Sequence, residues 1–538
     1  MIRRVLATVV SLAALMAVPS AAPTVSRPLL VSTDKGVVAG AAADGVARYL
    51  GIPYAAPPVG GLRWQPPAPA APWPGVRPAD HHGARCVQTA TGGPGTSEDC
   101  LYLNVHAPEQ RTDRPLPVLF WIHGGGFMSG GGDLYDGSLL ARTNDIVVVT
   151  INYRLGVFGF LDLPGLSERG AGNYGLLDQQ AALRWTQRNI AAFGGDPGRV
   201  TIAGESAGGQ SVCALLASPP ARGLFDRAII QSGGCPSLTA AQATARGKRY
   251  ADAAGCRDSV ADVSCLRAKR TDELLAAGGD FGGILNGPLP VSGVPELPVT
   301  PGLAVRSGRF TNVPILIGTN RDETRKWALP FAHATQEQFT RVIRRQFGPH
   351  ADEVLARYSY GAHDSPYGTA YALGAVWTDS SVFHGMGGCH YQRLAGQFAS
   401  HQPRTFFYEF GDRNPPPSPG PTPPGFTPGA THATELPYLW PGMTPKPLTP
   451  EQRRLSGAMV RYWGAFTKGA HPATRKQAAW PPYRSAKFMS LLPGDHSKAV
   501  TSEAYSARHQ CSYWNRISYD RLTTEPADLA RSTRSHGK

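Results

Sequence analysis

The pentapeptide Gly204-Glu205-Ser206-Ala207-Gly208 lies between an apolar run, Val200 to Ala203, and a helix-forming stretch that begins at Ala207. Few segments restrict a fold so tightly. A serine held between a strand and a helix sits in so sharp a turn that side chains two positions away on either side would clash, which is why glycines flank it. Such a turn lifts the hydroxyl above the end of a sheet. The following helix then aims its first N–H groups at a developing oxyanion. Standing alone, the pattern reads equally as an ordinary Gly-rich turn, because Gly, Ser and Ala are common residues.

A second segment removes that ambiguity. His123-Gly124-Gly125-Gly126-Phe127 follows the run Val118 to Ile122 (VLFWI). Three consecutive glycines let backbone amides approach a substrate oxygen without obstruction by side chains, as an oxyanion loop requires. Around these motifs strand and helix signals alternate. Ile146 to Ile151 (IVVVTI), Ala228 to Gln231 and Val313 to Gly318 read as strands, and Leu176 to Asn189 as an amphipathic helix. Runs apolar on both faces suit the centre of a sheet covered by helices, so the alternation predicts an α/β fold with a large mixed or parallel sheet. The Pro-rich opening from Gly51 to Pro78 reads as loops and short edge strands, and the Pro/Gly cluster at 414–429 as a long surface loop.

The chain resembles the type-B carboxylesterases, the group that includes cholinesterases, bile-salt lipases and bacterial para-nitrobenzyl esterases. The likeness runs from about residue 35 to 516. It includes Tyr49-Leu50-Gly51-Ile52-Pro53-Tyr54-Ala55, Ser97-Glu98-Asp99-Cys100-Leu101-Tyr102-Leu103-Asn104, Asn152-Tyr153-Arg154 and Phe193-Gly194-Gly195-Asp196-Pro197. Gln231-Ser232-Gly233, Trp480-Pro481-Pro482-Tyr483 and Cys511-Ser512-Tyr513-Trp514-Asn515 extend it.

The resemblance implies an α/β-hydrolase fold, with a large central mixed, mostly parallel sheet flanked by helices. It also implies the site residues. The family's acid lies in a G-x-N-x-D-E segment, here Gly318 to Glu323, and its histidine opens an H-x-x-E-[LI] segment, here His432 to Leu436. The implied triad is therefore Ser206, Glu323 and His432, in the chain order that α/β-hydrolases use. Residue chemistry alone does not choose between Asp322 and Glu323, nor set His432 above His384 and His390. By the same carry-over the oxyanion donors are the N–H groups of Gly125, Gly126 and Ala207. Glu205 tunes the electrostatics near the histidine, although a carboxylate simply buried in a hydrogen-bond network accounts for it equally well. No metal and no organic cofactor is implied.

The family pairs Cys86 with Cys100, Cys256 with Cys265, and Cys389 with Cys511. Cys213 and Cys235 are left as buried thiols or a fourth bridge. Departures bear on specificity. In cholinesterases the first disulfide closes a long loop whose Trp stacks on choline; residues 87–99 here are few and none is aromatic, which argues against choline-ester selectivity. Thr324 replaces the usual Gly after the acid, and the Pro/Gly cluster before His432 is placed to shape the rim of the gorge.

Arg3 and Arg4, the uncharged run Val5 to Val18 and small residues at Ser20, Ala21 and Ala22 read as an export signal over 1–22. A catalytic α/β-hydrolase unit over 23–516 and a polar, fraying tail over 517–538 follow. Eight cysteines suit an oxidising destination. Abundant Arg and Ala, with no Asn-X-Ser/Thr site, point to a bacterial source. The formal net charge of +14 is scattered and comes with no nucleic-acid motif, so neither a nucleic-acid partner nor stable membrane insertion is expected. The expected function is a secreted serine carboxylesterase acting on small-molecule esters through an acyl-enzyme. The alternatives are a lipase-like or specialised polyester or toxin-ester hydrolase and, disfavoured by the intact triad, a non-catalytic binding member of the fold.

Overall fold

The computed structural model describes residues 29–519, except 89–94, 111–113, 167–169, 171, 258–261, 279–280, 282–286, 361–364, 384 and 418–421, together with 526, 529, 530 and 532. The export segment at 1–22 and His384 therefore lie outside the described residues.

Among the described residues thirteen strands form one sheet. Leu29–Thr33, Gly36–Ala43, Val46–Pro53 and Tyr102–Pro108 make an antiparallel flank, which joins Val147–Ile151 antiparallel. From there the order is Leu116–Ile122, Gly195–Glu205, Arg227–Gln231, Ile315–Asn320, Thr405–Phe410 and Lys487–Leu491, every pairing parallel. Lys498–Thr501 closes the far edge antiparallel. Val76–Pro78 pairs with Gly36–Ala43 beside the main order.

Side-chain alternation explains why the central strands are apolar without interruption. Val118, Phe120 and Ile122 enter one core, whereas Leu119 and Trp121, pointing the opposite way, enter the other. The same division separates Ile315 and Ile317 from Leu316, and Phe407 from Phe406 and Tyr408. Each such side chain contributes about 1.5–3 kcal/mol when fully buried, so a polar replacement on either face is costly.

One region differs from its sequence reading, and two others are placed by specific contacts. The helix at Tyr174–Asn189 is not half-solvated: Asp178, Gln179 and Gln180 are buried. Tertiary partners take up much of their polar capacity, although Gln179 Oε1 and Gln180 Oε1 have no hydrogen-bond partner among the described residues. Arg154 pairs with Asp178, Gln179 Nε2 donates to Ser211 Oγ (2.9 Å) and Gln180 Nε2 to Ser218 Oγ (3.0 Å). None of the described residues of 414–429 lines the main cavity; Phe426 instead stacks on Tyr371, centroids 5.3 Å apart. The tail is anchored at its start, where the Tyr519 hydroxyl donates to Ser380 O (2.9 Å) and its ring packs on Phe347 and Trp514.

Four disulfides are present: Cys86–Cys100, Cys213–Cys235, Cys256–Cys265 and Cys389–Cys511. The bridge between Cys213 and Cys235 ties the Ala207–Ala217 helix to the segment beyond Arg227–Gln231. No helix of the described residues is long and apolar enough to cross a membrane.

Candidate active site

The parallel strands all point their carboxyl ends toward one edge, and loops leaving that edge carry the candidate residues, as open α/β sheets arrange their ligand sites. Ser206 follows Gly195–Glu205 directly and begins the Ala207–Ala217 helix. Its φ of 57° and ψ of −122° lie outside the ordinary regions for a residue with a side chain. The turn holds because Ser206 N donates to Gln231 O and Gln210 N to Ser206 O, both 2.9 Å. The flanking glycines are obligatory: a Cβ at Gly208 would lie 2.0 Å from Ile122 O, and one at Gly204 would lie 2.5 Å from Gly208 C.

The Gly124–Gly126 loop leaves the end of Leu116–Ile122, the neighbouring strand. A Cβ at Gly124 would meet Glu205 O at 2.7 Å, so only glycine lets this loop close on the serine turn. Gly125 and Gly126 have φ of 107° and 63°. Among the described residues nothing accepts from their N–H groups. Tyr153 braces the loop by donating from its hydroxyl to His123 O (2.9 Å).

Glu323 lies just past the end of Ile315–Asn320 and is fully buried. Its Oε1 faces His432 Nδ1 at hydrogen-bond distance. Its Oε2 accepts from Asn320 N (2.8 Å), Thr319 Oγ1 (2.8 Å) and Ser232 Oγ (3.1 Å). The backbones join as well, His432 N donating to Glu323 O at 2.9 Å. Asp322 points elsewhere: it pairs with Arg325 and accepts from Ala430 N (3.0 Å). Thr324 closes the turn by donating from Oγ1 to Gly374 O (2.9 Å). Of the two rival histidines the described one, His390, contacts Arg393 and is not part of the cavity wall.

His432 Nε2 lies 3.2 Å from Glu205 Oε1, an ionic contact rather than an aligned hydrogen bond. The Ser206 hydroxyl has no hydrogen-bond partner among the described residues. Ser206, His432, Glu205, Gly125, Gly126 and Ala207 all line one cavity of about 340 Å³, whose walls include Phe127, Met128, Leu289, Trp327 and Met386.

Electrostatics couple the buried groups. Burial pushes Glu205 up to about 8, against the pull of His432 and with the help of Glu435 and Glu323. Burial would lower His432, but the carboxylates of Glu205, Glu323 and Glu435 outweigh it and raise it to about 9. Glu435 is also raised by burial. It accepts from Asn320 Nδ2 (2.6 Å) and Gln231 Nε2 (3.2 Å), and Gln231 Oε1 accepts in turn from Trp463 Nε1 (2.8 Å). The sequence alone gives Glu435 no role, although it stands three positions after His432 in the same segment. Trp327, whose ring lies 5.0 Å from that of His432, carried no sequence signal.

The chain is similar to several known proteins. Residues 27–514 match the model of the carboxylesterase family. Para-nitrobenzyl esterase of Bacillus subtilis (strain 168) is 36% identical over 491 residues, covering 86% of this chain and 94% of that protein. Fumonisin B1 esterase of Sphingopyxis macrogoltabida is 34% identical over 513 residues, covering 88% of each. A solved PNB esterase structure superposes with a TM-score of 0.72 at 33% identity, covering 90% of this chain and 100% of that one.

Proposed function

Because the chain belongs to the carboxylesterase family and is a carboxylic ester hydrolase, we propose that Ser206 is its nucleophile, His432 its general base and acid, and Glu323 the carboxylate that orients the imidazole. One observation carries this reading. Ser206, His432 and the Gly125–Gly126 loop open onto the same cavity, while buried Glu323 backs the imidazole from the other side.

His432 Nε2 takes the Ser206 proton as Oγ attacks the ester carbonyl, and Glu323 stabilises the imidazolium. The N–H groups of Gly125, Gly126 and Ala207 hold the tetrahedral oxyanion; loss of one such donor typically costs ~10²–10³ in kcat. The alcohol leaves with a proton from His432. Water then repeats the sequence on the acyl-enzyme and releases the acid. A cavity of about 340 Å³ with apolar walls favours esters of small to medium size. Four disulfides support an oxidising destination. On that basis we read residues 1–22 as an export signal, 23–516 as the catalytic unit and the protein as secreted.

A fluorophosphonate probe tests the assignment. It should label the folded chain one to one at Ser206 and leave Ser206→Ala unlabelled. Para-nitrophenyl esters of increasing acyl length should then show a preference for short chains. A folded preparation that does not react would overturn the reading.

A further inference from the structure

Asp322 lines a second cavity, of about 130 Å³, that shares no lining residue with the first and that the ester chemistry does not use. Arg321, Arg325, Arg413, Arg508 and His509 reach it, with Asp322, Asp379 and Thr378. Small residues, Gly374 and Ala375, also line it. Gly374 cannot be enlarged, because a Cβ there would lie 2.8 Å from Arg325 Cα. At Gly411 an added Cβ would lie 2.7 Å from Nη2 of Arg321, which would have to swing aside. Glycines thus let several guanidinium groups crowd around a space that no side chain fills.

The charges around that space do not balance. Glu409, fully buried, takes Arg321 (2.9 Å), Arg508 and His509 Nε2 (2.8 Å). Asp322 takes Arg325 and Arg413, the latter through Nε at 3.3 Å. Asp379 takes His509 Nδ1 and the Tyr358 hydroxyl. Burial lowers His509, but Asp379 and Glu409 outweigh it and raise it to about 9, so it is protonated at neutral pH. Five cationic groups therefore face three carboxylates, an excess of two positive charges. Asp412, next to Arg413, is turned away to Tyr438 and Gln452. The Nη1 and Nη2 groups of Arg413 have no acceptor among the described residues. Guanidinium donors of this kind match the oxygens of a tetrahedral anion. The volume, about four waters' worth at ~30 Å³ each, suits one such anion with part of its hydration shell.

The geometry points to an oxyanion-binding site between Arg413, Arg508 and Arg325, separate from the ester cavity and suited to a free tetrahedral anion such as inorganic phosphate or sulfate. Calorimetric titration of inorganic phosphate into the whole chain tests it, near pH 7 and at a fixed ionic strength of about 0.15 M so that screening stays constant. The wild type should give a saturable one-site isotherm with Kd of roughly 1 mM. Arg413→Gln should weaken it about tenfold, Arg413→Gln with Arg508→Gln should remove it, and the exposed control Arg142→Gln should leave it unchanged. Labelling by the fluorophosphonate probe certifies that each variant is folded. If loss of Arg508 from Glu409 prevents folding of the double variant, Arg413→Gln alone decides, because Asp322 keeps Arg325. Absence of saturable binding in the wild type, or equal binding by wild type and Arg413→Gln, would overturn the site.

Discussion

Replacing Glu323 by Gln probes the triad with almost no change in shape. The outcome follows from the three donors on Oε2. Asn320 N, Thr319 Oγ1 and Ser232 Oγ all point at that atom, so the amide oxygen of the new side chain must take its place. The amide NH₂ is then forced toward His432 Nδ1. A donor facing Nδ1 makes that nitrogen an acceptor and moves the ring proton to Nε2, the atom that must receive the proton of Ser206. The enzyme is caught in the wrong tautomer, a trap that costs ~10⁴ in kcat in serine proteases, or ~5.4 kcal/mol at 1.36 kcal/mol per tenfold. Asp322→Asn is the matched control. It weakens the pairs with Arg325 and Arg413 but leaves the imidazole untouched, so its effect should fall on thermal stability, with kcat within about tenfold of wild type. Steady-state hydrolysis of para-nitrophenyl acetate, normalised to probe-titrated sites, measures both. A larger kcat loss in Asp322→Asn than in Glu323→Gln would show that the acid had been misassigned.

Two further perturbations examine the electrostatics and the serine turn. If His432 is the base, as proposed, it works only when neutral, so kcat/KM should rise with pH through its titration, which Glu205, Glu323 and Glu435 displace upward to about 9. Glu205→Gln removes the foremost of those carboxylates, and the acid limb of the profile should move down by at least about one unit, equivalent to ~1.36 kcal/mol; because the pair titrates jointly, a limb that stays in place or moves up would uncouple Glu205 from the base. Gly208→Ala sets a Cβ 2.0 Å from Ile122 O, backbone against backbone with no side chain to swing aside. It should exceed the usual 1–3 kcal/mol of overpacking, and an unchanged circular-dichroism melt would remove the steric account of the glycine.

Several elements were legible in the chain because their causes are local. A strained serine turn needs glycines at 204 and 208, an oxyanion loop needs glycines at 124–126, and a strand buried on both faces needs an unbroken apolar run. Those requirements write themselves into adjacent residues. The strand Thr405–Phe410, fully buried, is not legible in the chain because its Thr and Glu interrupt the apolar run. The Tyr174–Asn189 helix looked amphipathic because nothing in its own periodicity reveals that Arg154, Ser211 and Ser218 wait to satisfy its polar face.

Choosing between Asp322 and Glu323 is a question of the opposite kind. Both are carboxylates at the end of one strand, and chemistry read along the chain treats them alike. Tertiary structure sends one to Arg325 and Ala430 N and buries the other against the imidazole. It also bridges Cys213 to Cys235, adds Glu435 to the charges around His432, and gathers arginines from three separate segments around one small space. The sequence by itself determined the α/β architecture and the two glycine-built turns, since backbone sterics act within a few residues. Only the tertiary structure decided which charged groups meet, because electrostatic coupling depends on distance and burial, and both are set where remote segments pack together.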